Sequence, residues 1–267
     1  MRRMKFNVSN IMMSRRDKKE GVRIPKQLTL ELAEFFGIMV GDGHIGIYHV
    51  KKPKKRTYYQ LQISGHIKDK KYQMLYINKL ILKLFNIKFH VDVIKENNII
   101  ILRKQSQAIC EFLRKVTGIQ NRKDTVCIPE CILNGNKKIK AKFLRGLADA
   151  DFCFTVKFKP NVYPVIHGDS KSKKLIEQCS EMLKELDIEN YWRKEEQYYE
   201  KRGKTYVIYR VYVNGFSRVK KFMEKVGFQN RNKVKKYENT LKRRNLKSIK
   251  HIPKCYVTKQ HSTFLFV

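Results

Sequence analysis

Two periodicities alternate along the chain. Apolar residues recur every three or four positions at Tyr72, Leu75, Tyr76, Leu80 and Leu84, the mark of a helix with one buried face. They recur every second position at Phe152, Phe154, Val156 and Phe158, while Cys153, Thr155, Lys157 and Lys159 share the opposite face. Tyr59, Leu61 and Ile63 oppose Tyr58, Gln60, Gln62 and Ser64 in the same way. The spacing predicts helix, strand, strand, helix, strand, strand, helix, twice over. The first set runs about 29–41, 44–50, 57–64, 69–85, 88–95, 98–103 and 106–117. The second runs about 138–150, 152–159, 162–167, 172–187, 189–198, 204–213 and 216–226. Strands that alternate so strictly bury one face under helices and leave a polar face outward. The expected fold class is therefore α/β of the α+β kind, with antiparallel sheets and helices packed on one face.

The two sets are copies. Thr117-Gly118-Ile119-Gln120-Asn121-Arg122 closes one apolar helical run and Val226-Gly227-Phe228-Gln229-Asn230-Arg231 closes another, with Gly118 and Gly227 109 positions apart. At that same offset, Glu34 to Ile45 (EFFGIMVGDGHI) resembles Phe143 to Phe152 (FLRGLADADF), so that Asp42 matches Asp151. Between these anchors Tyr59 to Gly65 answers Tyr163 to Gly168, each followed by a basic helix start at Lys68 and Lys171. Here the offset is 103, because the first copy has the longer hairpin loop, 51–56. Three landmarks in one order indicate a tandem duplication of an αββαββα unit. The expected division is a basic arm over 1–24, units over 25–133 and 134–240, and a basic tail over 241–267.

Charge then decides the partner. The 267 residues hold 59 Lys and Arg against 24 Asp and Glu, a formal charge of +35. Such an excess speaks to partners, and nucleic acid is the natural polyanion. No segment approaches 18 apolar residues, and the cations are spread along the chain rather than on one amphipathic helix, which argues against a membrane. The N-terminus, MRRMKFNVSNIMMSRRDKKEG, lacks the apolar stretch of a signal peptide and reads as a loosely ordered arm of a cytoplasmic, nucleoid-associated protein. Six cysteines form no C-x-x-C pair; Cys127 and Cys131 come nearest, without a second pair to complete a zinc site.

Against this background two aspartates stand out. Gly37 and Gly41 lie four apart on one helical face, and Gly146 and Ala150 repeat the spacing. Glycine costs about 1 kcal/mol relative to alanine in a helix interior, so two on one stripe call for close approach of another backbone. Packing the two stripes together on a pseudo-twofold axis brings Asp42 and Asp151, at the helix C-termini, near each other. Carboxylates there oppose the helix dipole, repel each other and repel a phosphate backbone. A divalent cation removes all three penalties, and Mg²⁺ (or Mn²⁺) favours one or two carboxylates, retained waters and substrate phosphate oxygens. Metals so held can activate water and stabilise a leaving oxygen in phosphodiester cleavage. The plainer reading makes Gly41-Asp42-Gly43 a helix stop and turn. The second copy keeps Asp151 but has Phe152 in place of the glycine, which favours a task for the carboxylate.

These residues resemble the two motifs of a single-chain LAGLIDADG homing endonuclease: Phe35 to Gly43 (FFGIMVGDG) and Leu144 to Phe152 (LRGLADADF), within a likeness covering roughly 28–240. Archaeal free-standing and intein-embedded members are the most similar, and the missing terminal His-Asn argues against an intein. The resemblance implies two pseudo-symmetric homing-endonuclease units whose saddle-shaped sheets straddle DNA. It implies Mg²⁺-dependent double-strand cleavage at a long, asymmetric site by a monomer. Asp42 and Asp151 match its metal-binding aspartates, with Gly41 and Ala150 offering backbone carbonyls. A lysine near each site matches Lys123 and, one residue out of register, Lys233. Its role would be to stabilise developing charge or orient water, a plain phosphate contact being the alternative. Two positions depart from the pattern: Val40 replaces a first aspartate, and Phe152 replaces a glycine.

Tyr58, Gln60, Gln62, Lys157, Lys159 and Arg210 are the candidate DNA contacts on outward strand faces, with solvated surface as the alternative for each. His44, His66 and His167 read as packing or hydrogen-bonding residues. The expected function is site-specific DNA cleavage. An RNA-binding intron maturase, for which intron RNA is the partner, and a catalytically inactive DNA-binding regulator are the alternatives on the same fold.

Overall fold

The computed structural model describes residues 4–51, 56–119, 124–158, 162–199 and 203–250. Lys123, Lys159 and the tail after 250 lie outside them. A short helix α1 (Arg15–Lys19) precedes the first unit, which runs α2 (Leu30–Gly41), β1 (Gly43–Val50), β2 (Arg56–His66), α3 (Asn78–Phe85), β3 (His90–Ile94), β4 (Ile99–Gln105) and α4 (Gln107–Glu111). After α5 (Glu130–Leu133) the second unit runs α6 (Lys137–Asp151), β5 (Phe152–Lys157), β6 (Tyr163–Ser170), α7 (Lys173–Glu185), β7 (Tyr191–Tyr199), β8 (Lys204–Asn214) and α8 (Phe216–Lys225). Helix α9 (Arg231–Lys250) closes the described chain.

Each unit builds one four-stranded antiparallel sheet with the same order, β1-β2-β4-β3 and β5-β6-β8-β7. The alternation read from the sequence sets their faces. Ile45, Leu61, Ile63, Ile100 and Leu102 are buried in the first sheet, as are Phe152, Phe154, Ile166, Val211 and Val213 in the second. Helices cover those faces and one continuous core joins the units. Helix starts follow cap chemistry: Thr29, Ser106, Asn136 and Ser172 each accept a hydrogen bond from the backbone three residues on. Gly118 and Gly227 adopt φ of +71° and +67°, a left-handed exit that only glycine takes without strain, which accounts for their recurrence after matching helices.

Four features depart from expectation, one being the helix expected over 106–117, which turns from α4 into a π turn over Phe112–Val116. The arm is docked rather than loose. Phe6 lies edge-on to Phe36 and Phe112, and Lys5 bridges to Gln27. Asp17 is fully buried and accepts from Ser106 Oγ (2.6 Å) and the Ala108 amide (3.2 Å), adding a second cap to α4. The helix expected over 69–85 is split: a 3₁₀ turn over 67–69, a π turn over Tyr72–Ile77, then α3. That wider winding carries a stacked pair, Tyr72 on Tyr76, with ring centres 5.6 Å apart. Finally, α9 runs through the boundary expected near 240. It packs Val234 and Tyr237 on the core, the latter edge-on to Phe154 at 6.0 Å.

Phe152, the aromatic at the glycine position, is accommodated by its neighbour. It pairs in register with Gly168, whose missing side chain leaves room for the ring, and its other flank stacks on Phe222 at 6.5 Å.

Candidate active site and nucleic-acid face

Helices α2 and α6 meet backbone to backbone. A Cβ on Gly37 would strike the Phe143 carbonyl and, at 2.7 Å, the Leu147 nitrogen; one on Gly146 would strike the Glu34 carbonyl. One turn further, a Cβ on Gly41 would fall 2.5 Å from Ala150 Cβ and 3.0 Å from Asp151 Oδ2. The small-residue stripe thus carries the seam to the C-terminal ends of both helices, where Asp42 and Asp151 stand. Asp42 caps α2, its amide bonded to the Ile38 carbonyl and its own carbonyl accepting from Ser64. Its side chain is half-buried, whereas Asp151 is exposed.

Asp42 and Asp151 end their helices at this seam, and carboxylate oxygens suit Mg²⁺, Mn²⁺ or Ca²⁺ better than softer metals. Among the described residues no three or more His, Cys, Asp or Glu side chains gather as a cage, so a cation here would draw its remaining ligands from backbone, water or phosphate.

Lys233 lies directly beneath. Its ammonium donates to the carbonyls of Ala148 (2.8 Å), Asp149 (2.7 Å) and Phe152 (2.6 Å), so its three protons close the C-terminus of α6. A cation is favoured there by the helix dipole. Burial pulls its pKa down, and the charges of Asp149 and Asp42 among others partly restore it. The side chain therefore holds the end of α6 in place rather than pointing an unengaged amine at the seam. Lys233→Met is expected to destabilise the fold by about 2 kcal/mol, since three carbonyls lose a charged partner. Urea denaturation checks it, and a midpoint matching the parent protein would refute this reading.

The residue that sequence reasoning passed over is Asp149. It sits buried on α6, two residues before Asp151, and accepts from the backbone amides of Gln229 (3.0 Å) and Asn230 (2.9 Å) and from Tyr72 Oη (3.2 Å). Burial raises its carboxyl to about 6 against the pull of those amides. Burial likewise raises Tyr72 well above the ordinary phenol, helped by the charge of Asp149. The same loop is tied to the first unit: Asn230 Nδ2 and Asn232 Nδ2 donate to Asp69 Oδ1 at 2.8 and 2.9 Å, and Asn232 Nδ2 also to the Lys68 carbonyl. The segment that delivers Lys233 is thus pinned from both units. The signal was present in Asp149, an acidic residue on a buried helix face; the matching position in the first unit is Val40.

On the outward face of the first sheet, Tyr58, Gln60 and Gln62 are half-buried and pair in register with Tyr48, Gly46 and His44. On the second, Lys157 is exposed, 6.0 Å from the Tyr212 ring. Arg210 does not stand ready to read bases. Its guanidinium is held bidentately by Asp169 (2.5 and 2.7 Å) and again by Glu195 (2.6 Å), because β6 and β7 bring those carboxylates beside it. Arg193 is the more exposed guanidinium, with 57% of its side chain accessible against 20% for Arg210. It is steadied by Glu195 (2.6 Å) and Tyr212 Oη (3.2 Å). The histidines are hydrogen-bonding residues: His167 Nδ1 lies 3.3 Å from Asp169, His66 Nδ1 accepts from Lys68, and His44 lies 3.5 Å from Tyr48 Oη.

Burial pushes the Asp169 carboxyl up, but hydrogen bonds from His167 and Arg210 outweigh it and hold the group at about 2. Its unfolded value is about 3.9, so the contribution is present above pH ~4 and lost as pH falls toward ~2. Solvent reaches this pair, which limits the gain to about 1 kcal/mol. The stability gap between the parent protein and Asp169→Asn is expected to narrow across that window. Denaturation at stepped pH checks it, and a constant gap would count against the pairing.

The described residues include no helix long and apolar enough to cross a membrane. Residues 138–227 match the family model of the LAGLIDADG-like domain. No curated protein sequence matches the chain. Among solved structures, variants of the homing endonuclease I-DmoI share 19% identity over 74% of this chain and 95% of theirs, with a TM-score of 0.52. The LAGLIDADG homing endonuclease I-LtrWI, bound to its target DNA, shares 16% over 83% of this chain and 92% of its own, with a TM-score of 0.54. I-SmaMI, bound to an uncleaved DNA target with calcium ions, shares 13% over 84% and 92%, with a TM-score of 0.53. The second unit thus carries a match to the LAGLIDADG-like domain, and the fold across both units is that of single-chain LAGLIDADG homing endonucleases.

Proposed function

We propose that the protein is a site-specific DNA endonuclease that hydrolyses one phosphodiester bond in each strand of a duplex, using divalent cations held by Asp42 and Asp151. The observation that carries the reading is the backbone-close seam of α2 and α6, which sets one carboxylate from each unit at adjacent helix ends. Variants of I-DmoI have been solved with their target DNA in the presence of manganese and of magnesium, which supports the choice of ion.

A divalent cation bound at this seam supplies Lewis acidity toward phosphate and lowers the pKa of a bound water. The chain's own part is positional. The glycine stripe fixes the spacing of the two helix ends, and Lys233 holds the last turn of α6. Asp149 anchors residues 229–230, which lead into α9 and so place Lys233. The outward sheet faces meet the duplex: Lys157 offers charge to phosphate, while Gln60, Gln62 and Arg193 offer hydrogen-bond donors to base edges. A single chain with two dissimilar sheet faces suits a long, asymmetric target read by a monomer.

The test is incubation with Mg²⁺ and a plasmid carrying the host locus with its intervening sequence removed. Linear product supports the proposal. Tight binding of the intron transcript without nicking of the plasmid would replace it with the maturase reading.

A further inference from the structure

At the edge of the first sheet farthest from β1, the docked arm and strands β3 and β4 enclose a cleft of about 450 Å³. Arg16 reaches it from α1 and donates to Gln105 Oε1 at 2.9 Å; Lys88, His90, Arg103 and Lys104 line it further. Gln105 pairs in register with Gln60, and Arg103 with Gln62, so the cleft continues the outward face already assigned to the duplex. Four cationic side chains meet two carboxylates there: Asp92 lies 3.4 Å from Arg103, and Glu20 pairs with both Arg16 and Lys104. Two positive charges remain in excess. Among the described residues Arg103 Nε is buried without a hydrogen-bond partner, as are the neighbouring carboxylate oxygens Asp92 Oδ2 and Glu20 Oε2. With 41% of the Arg103 side chain accessible, an anionic oxygen in the cleft can reach its guanidinium and accept a charge-assisted hydrogen bond.

We infer that this cleft takes a phosphodiester group of the DNA backbone, so that the N-terminal arm extends the interface of the first unit beyond the duplicated fold. The inference rests on the DNA-binding reading above. A backbone phosphate suits the site better than a free phosphate does, because the cleft opens onto the strand face along which a duplex would run. The arm precedes the first unit only, so the added grip falls at one end of the target.

The test measures binding of the full-length protein to duplex across a salt series, with Ca²⁺ replacing Mg²⁺. The Arg16→Ala/Lys88→Ala double variant is expected to bind about tenfold more weakly and to lower the salt slope by about 0.9, the contribution of the one phosphate contact that the cleft makes. Lys19→Ala, which removes an exposed charge on α1 outside the cleft, is expected to stay within about twofold. Thermal melting of the double variant confirms that the arm remains docked, and Arg16→Lys serves as a rescue that keeps the charge. Equal losses in the double variant and in Lys19→Ala would reduce the effect to bulk charge and overturn the inference. So would saturation of the cleft by inorganic phosphate at concentrations that leave duplex binding unchanged. Parent protein that binds no duplex would instead sink the DNA-binding reading.

Discussion

Replacing Asp42 or Asp151 with asparagine is expected to lower the single-turnover cleavage rate by about a thousandfold or more, the scale set by losing the metal's charge stabilisation. Asparagine keeps the shape and one oxygen of the side chain while removing the charge that opposes a cation. Duplex affinity measured with Ca²⁺ is expected to change by only a few fold, because most of it comes from Lys and Arg contacts to phosphate. The two substitutions report on different strands if each carboxylate serves one bond, so nicked plasmid is the product to look for. Cleavage by both variants at the parent rate would remove the central claim.

The second large effect is structural. Gly37→Ala and Gly146→Ala would each drive a methyl group into the backbone of the opposing helix, at the Phe143 and Glu34 carbonyls. Neither obstacle is the end of a flexible side chain, so relief requires the helices to part. The expected loss is about 3 kcal/mol or more, at the upper end of what overpacking costs. Because the same stripe spaces Asp42 from Asp151, cleavage is expected to fall further than stability alone explains. Guanidinium denaturation and single-turnover kinetics on the same preparation separate the two. A midpoint unchanged for Gly146→Ala would mean that the seam is looser than described.

Much of the architecture is legible in the amino-acid pattern itself. Strict alternation at 152–156 and 59–63 sets the buried faces, and the 109-residue offset sets the two units. Single residues are legible where their task is local, as with Thr29 and Asn136 at helix starts. What stays hidden depends on partners distant in sequence. Asp17 finds Ser106 and Ala108 about ninety positions away, so the arm looks unattached in the sequence. Arg210 looks like a base reader on alternation alone. Only the register of β8 with β6 and β7 shows Asp169 and Glu195 occupying it. Asp149 sits in plain view inside the motif, but its amide partners come from a loop eighty residues later. The π turn at 72–77 keeps apolar spacing close to that of an ordinary helix, so the pattern does not reveal it.

The ties from Asn230 and Asn232 to Asp69, and from Asp149 to Tyr72, run between the units rather than within one. They limit how the protein can be recombined. A chimera that grafts the second unit onto a foreign first unit would strand two asparagine amides and take one of three hydrogen-bond donors from the buried Asp149 unless residues 68–72 travel with it. Module exchange in this scaffold therefore has its natural cut elsewhere than at the linker between the copies.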